Sequence, residues 1–107
     1  MNHGERLAAR HYRLRGYLLL DANARCGGYE LDLVLRRGRR LVFCEVKEKT
    51  GDAFGSPAEM VDAEKLRRVT RAAAVWLASH PQYTALAVRF EVAAVHDGRV
   101  KRLAHVA

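Results

Sequence analysis

Two prolines and two cysteines in 107 residues leave this chain few breaks and little covalent support. Cys26 and Cys44 are too few for a zinc site of their own and read as free thiols, Cys44 in a strand core and Cys26 in a loop. No run of about 18 apolar residues occurs, which excludes a transmembrane helix. The N-terminal MNHGERLAARHYRLRGY is charged almost throughout and lacks the apolar core of a secretory signal, so a cytoplasmic location is expected. Repeats and low-complexity tracts are absent. Gly27-Gly28 lacks the lysine and spacing of a nucleotide-binding loop, and neither a G-x-S-x-G nor a Cys–His arrangement points to acyl transfer. His3, His11, His80, His96 and His105 are scattered without metal-ligand spacing and are given no role.

What remains is a globular composition. Half the residues are hydrophobic and 29% are charged, which excludes a disordered tail and fits a single domain over residues 1–107 with its own core. Lys and Arg number 19 against 12 Asp and Glu, a formal charge of +7. Such an excess points to a polyanion partner, nucleic acid before an anionic membrane, the ordinary alternative being a solubilising surface.

Periodicity places a helix over residues 4–15, with Leu7, Ala8, His11, Tyr12 and Leu14 as its apolar stripe and Gly16 as its stop. Tyr17–Asn23 reads as extended. Tyr29–Arg36 and Arg39–Lys47 alternate as strands around an Arg37-Gly38 turn. Glu48–Gly55 is a polar loop. Ser56-Pro57-Ala58-Glu59 opens a long helix by capping box and first-turn proline, ending near Ser79 before Pro81. Val61, Leu66, Val69, Ala73, Trp76 and Leu77 would face its core side. Ala85–His96 and Arg99–Val106 are strands around Asp97-Gly98. The order α-β-β-β-α-β-β predicts an α/β domain, one mixed β-sheet flanked by helices.

The first hairpin carries the chemistry. If Arg36 faces Arg39, then Asp32 faces Phe43 and Glu30 faces Glu45, and alternation gathers Glu30, Asp32, Glu45 and Lys47 on one face. Leu31, Leu33, Leu35, Val42, Cys44 and Val46 take the other, unless a bulge breaks the registry. Clustered carboxylates repel and call for a counter-cation. Lys47 supplies one charge, and a divalent metal supplies the rest, Mg²⁺ or Mn²⁺ by its preference for oxygen ligands. A solvated polar face with one Glu–Lys pair is the plainer alternative. The implied chemistry is phosphodiester hydrolysis: Asp32, Glu45 and the Val46 carbonyl hold the ion, and Lys47 orients water or steadies transition-state charge. Lys65, Arg68 and neighbouring Arg67 and Arg71 form a basic helix face suited to phosphates, and Asn23 and Arg25 lead into the acidic patch.

Asp32 followed by Glu45-Val46-Lys47 resembles the D…ExK core of the restriction-endonuclease-like nuclease superfamily. Gly4-Glu5, Ala8-Ala9, Gly16-Tyr17, Asn23-x-Arg25, Glu30-Leu31-Asp32-Leu33, Val42 to Lys47, Lys65 and Arg89-Phe90-Glu91-Val92 together resemble the YraN-like family of bacterial proteins over residues 4–106. That resemblance implies a restriction-endonuclease-like fold similar to archaeal Holliday-junction resolvases. It adds Glu5 and Glu30 to the catalytic set of Asp32, Glu45 and Lys47, and it implies a homodimer. Tyr29, Cys44 and Glu91 depart from the family's usual glycine, valine and aspartate. Two functions are carried forward: a metal-dependent endonuclease acting on DNA, branched DNA included, and a non-catalytic nucleic-acid-binding protein on a nuclease-like scaffold. RNA fits either.

Overall fold

The computed structural model describes residues 1–49 and 63–104. The proposed helix start at Ser56–Glu59, together with Val61, His105 and Val106, lies outside them. Helix α1 spans His3–Arg13. Strands β1 (Leu18–Cys26), β2 (Tyr29–Arg37) and β3 (Arg40–Glu48) follow, then helix α2 (Ala63–Ser79), a 3₁₀ turn at Pro81–Tyr83, β4 (Ala87–His96) and β5 (Arg99–Ala104). The five strands form one sheet in chain order. All neighbours are antiparallel except β3 and β4, which run parallel. The predicted mixed α/β architecture and element order are therefore observed.

Helix α1 starts where the side chain of Asn2 accepts the Glu5 amide and Glu5 accepts the Asn2 amide, each at 2.8 Å, a reciprocal cap that ties down two otherwise orphaned donors. Its buried face is made of Gly4, Glu5, Ala8, Ala9 and Tyr12. The small residues let the helix lie close to the sheet. At Gly4 a Cβ would meet the Glu48 side chain, 2.7 Å from its Oε1 and 3.3 Å from its Cβ. Leu14, expected in the apolar stripe, is instead 73% exposed, because the helix has ended at Arg13 and the chain swings away at Gly16.

The two helices cover opposite faces of the sheet. Ala8, Ala9 and Tyr12 of α1 pack on Leu33, Leu35, Val42, Cys44, Ala93 and Val95. On the other face Val69, Ala72, Ala73 and Trp76 of α2 meet Leu31, Val34, Leu41 and Phe43. Trp76 Nε1 donates to Asp21 at 2.9 Å, which fastens α2 to β1. Cys44 is buried and its thiol is pushed up to about 12, chiefly by desolvation, so it packs as core; Cys26, predicted in a loop, ends β1.

The β2–β3 register differs from the sequence expectation. Arg37 pairs with Arg40 and Val34 with Phe43, so the turn is Gly38-Arg39, not Arg37-Gly38. Gly38 has φ of 58°. A two-residue turn with positive φ at its first position alone, Gly38 and not Arg39, is type II′, where glycine is preferred, and that requirement fixes the loop. Because the slip is two residues, it preserves face parity at the turn end of the hairpin.

Candidate metal and nucleic-acid site

The expected two-sided alternation fails at the far end of the same hairpin. Leu33 and Leu35 pack toward α1, but Leu31 packs toward α2. The β2–β3 ladder runs from Arg37 with Arg40 to Leu33 with Cys44. Just beyond it, Asp32 Oδ2 accepts the Val46 amide at 2.8 Å. A side chain here takes a donor that ladder pairing gives to a backbone carbonyl. On the neighbouring strand Asn23 adopts φ of 52°, a left-handed conformation uncommon outside glycine. Alternation is thus broken on both strands, and the acids do not share one face as expected.

Asp32 and Glu30 approach Glu5 of α1. One carboxylate oxygen from each of the three lies within 4.8 Å of the others, a set of hard oxygen donors of the kind that divalent cations take. Glu5 is buried, 5% exposed, and its second oxygen accepts the Asn23 amide at 2.9 Å. The same Asn23 amide donates to Glu30 at 3.1 Å. Asn23 is therefore the donor that bridges two of the three carboxylates. Its role is open in the sequence, where it sits between Asp21 and Arg25 in the alternating polar positions of β1.

Burial pushes the Asp32 carboxyl up to about 6; the Val46 amide pulls it down, and the charges of Glu5, Glu45 and Glu30 push it further up. Glu45 acts on Asp32 electrostatically, yet its carboxylate turns toward α2, where Lys65 lies 3.4 Å away. Lys47 lies on that side too, in contact with Lys65, and this contact and partial burial hold the Lys47 ammonium below its ordinary range. The phenol of Tyr29 is raised by burial and by both Glu45 and Asp32, so the ring lies in the field of both acids. The site thus has two halves joined at the opening of the hairpin: Glu5, Glu30 and Asp32 toward α1, and Glu45, Lys47 and Lys65 toward α2.

Of the residues expected to touch phosphates, Arg25 is exposed on β1 opposite Glu30. Lys65 is engaged with Glu45 and Lys47. Arg68 lies 3.3 Å from Glu64 on the exposed side of α2.

A profile described as uncharacterised protein family UPF0102 matches residues 4–95. A UPF0102 protein of Frankia alni is 52% identical over 92 residues, covering 86% of this chain and 76% of the relative. Another, from Mycolicibacterium vanbaalenii, is 43% identical over 105 residues, covering 96% and 86%. A third, from Geobacter metallireducens, is 38% identical over 104 residues, covering 96% and 84%. The match spans α1, the split hairpin and β4, and with it the chain belongs to the UPF0102 family, the YraN-like family that its motifs resemble.

Proposed function

We propose that this protein is a metal-dependent endonuclease that hydrolyses phosphodiester bonds in DNA, branched DNA included. The observation that carries this reading is the split hairpin. It ties Asp32 to the Val46 amide and so brings Asp32 beside the Glu45-Val46-Lys47 segment while Glu5 and Glu30 close in from the other side. Oxygen-only donors at this spacing fit Mg²⁺ or Mn²⁺. Asp32, Glu45 and the Val46 carbonyl are the proposed ligands, and Glu5 and Glu30 enlarge the acidic half. A bound ion there supplies Lewis acidity and lowers the pKa of water. Lys47 steadies charge on the phosphoryl group, while Arg25, Lys65 and Arg68 contact the backbone. The formal charge of +7 favours a polyanion, RNA as well as DNA. A second copy and a cytoplasmic location belong to the same reading; no helix among the described residues is long and apolar enough to cross a membrane.

A second reading has its own observation. Glu45 stands outside the close carboxylate group and pairs with Lys65. A scaffold in which that pair persists binds nucleic acid without cutting it. Nicking assays on duplex, flap and four-way-junction DNA with Mn²⁺ or EDTA separate the two. The endonuclease reading expects metal-dependent product that falls at least about 100-fold in Glu45→Gln and Asp32→Asn. Binding without product at any enzyme excess supports the scaffold instead.

A further inference from the structure

The acidic site lies at one end of the β2–β3 hairpin, and the other end carries a charge cluster that the proposed chemistry does not use. Residues 33–44 hold four arginines, Arg36, Arg37, Arg39 and Arg40, and no acid. Among the described residues, none of the four forms an ion pair. The type II′ turn at Gly38-Arg39 compresses them into one tip, where Arg37, Arg39 and Arg40 are exposed and, with Ala87, line an open groove of about 440 Å³.

The guanidinium groups are partly positioned. Arg36 Nε donates to the Gly38 carbonyl at 2.9 Å, and its guanidinium carbon lies 5.8 Å from the centre of the Tyr83 ring. The guanidinium of Arg37 lies 5.8 Å from the Tyr17 ring, and Arg40 donates to the Tyr17 hydroxyl at 3.2 Å. Stacking and hydrogen bonding of this kind reduce the ordering that binding requires. Four like charges without acidic partners repel each other, and an anion relieves that repulsion.

We propose that the Arg36–Arg40 tip is a second nucleic-acid contact, a clamp on backbone phosphates separate from the acidic site. This rests on the reading of a nucleic-acid partner, but not on catalysis. Glu45 lies five positions beyond Arg40 on β3, roughly 17 Å at about 3.3 Å per residue. One phosphate cannot serve both places. Along one strand of a duplex that span is about five nucleotides, so the tip grips the backbone upstream or downstream of the phosphate presented to the acids. Guanidinium forks suit phosphate oxygens and read no sequence.

The test is fluorescence anisotropy of labelled duplex and four-way-junction DNA in EDTA over a range of salt, with the native chain, R37A/R39A and R37K/R39K. Both arginines are exposed, and thermal melting of each variant monitors the fold. The slope of log affinity against log salt is expected to fall by about two in R37A/R39A, equally for any sequence. It is expected to recover in R37K/R39K. A native slope and affinity in R37A/R39A overturn the proposal. So does a loss confined to phosphatidylserine vesicles with DNA binding intact, which assigns the tip to an anionic membrane. Failure of the native chain to nick DNA with Mn²⁺ bears on the endonuclease reading alone, because the binding measurement contains no metal.

Discussion

Asp32 is held in place by one amide and opposed by its own surroundings. Its carboxyl moves from 3.8 to about 6 on folding, first through burial and then through neighbouring carboxylates. The folded form therefore binds more protons than the unfolded form between those values, and stability falls as pH rises through that window. Asp32→Asn keeps an oxygen for the Val46 amide and removes the charge. It is expected to stabilise the protein at neutral pH by on the order of 1–2 kcal/mol, after allowance for solvent screening of a partly exposed group. Urea melts at pH 7.5 and pH 4 check this, with the gain shrinking at the lower pH. Asn23 supplies the other residue-scale test. Asn23→Gly accepts the left-handed backbone and deletes only the bridging amide. If the acidic half binds a cation, Mn²⁺ affinity measured by electron paramagnetic resonance should weaken about tenfold, the low end for an outer-sphere loss.

Among the elements, α1, β4 and β5 are joined by one buried carboxylate. Glu91, 3% exposed, accepts from Tyr12 at 2.6 Å and from Arg102 at 3.0 Å, with Arg89 at 3.5 Å. Burial alone would raise its pKa, but the hydrogen bonds and charge of Arg102, with the Tyr12 hydroxyl, hold it below the ordinary value. Its stabilising share is present at neutral pH and is lost as pH falls through that depressed value. Arg102→Ala leaves the carboxylate with Tyr12 and the more distant Arg89. A loss of about 3 kcal/mol in chemical denaturation is expected, the low end for a broken buried pair. This junction also shows what the sequence could convey. Strand positions, alternation over the core half of the hairpin and the presence of a glycine in its turn are local and legible in the sequence. The hairpin slip was not, because Arg37-Gly38 and Gly38-Arg39 are both two-residue loops and only the φ demand at the first position separates them. The division of the acids between faces was hidden as well. It depends on an Asp32 side chain capturing an amide fourteen residues away and on Asn23 turning left-handed, neither of which has a period. Glu5 was reached only through family likeness, although Asn2-x-x-Glu5 carries a capping signal of its own.

For the molecule as a whole, the charge distribution separates tasks. The acidic cluster lies at the open end of the β2–β3 hairpin, while four arginines without an ion pair among the described residues crowd its tip, so the proposed metal and polyanion contacts fall in different regions of the fold. If the acids take a divalent cation, binding to the native state raises the melting temperature with concentration. A calorimetric titration with Mg²⁺ should shift the native chain upward and Asp32→Asn much less.

The parallel seam between β3 and β4 sets how the domain assembles. Its pairs run from Arg40 with Ala87 to Glu48 with Val95, 47 positions apart throughout, whereas both flanking hairpins close over two residues. Loop-closure entropy makes the distant pairing the slow one, after the hairpins have nucleated. Ala93 is fully buried on that seam, so Ala93→Gly should slow the refolding limb of a chevron plot as well as accelerate unfolding. Asp32, Glu45 and Lys47 all belong to one hairpin, so native-state hydrogen exchange is expected to show the β4–β5 ribbon exchanging its amides as a unit while these three proposed site residues stay together.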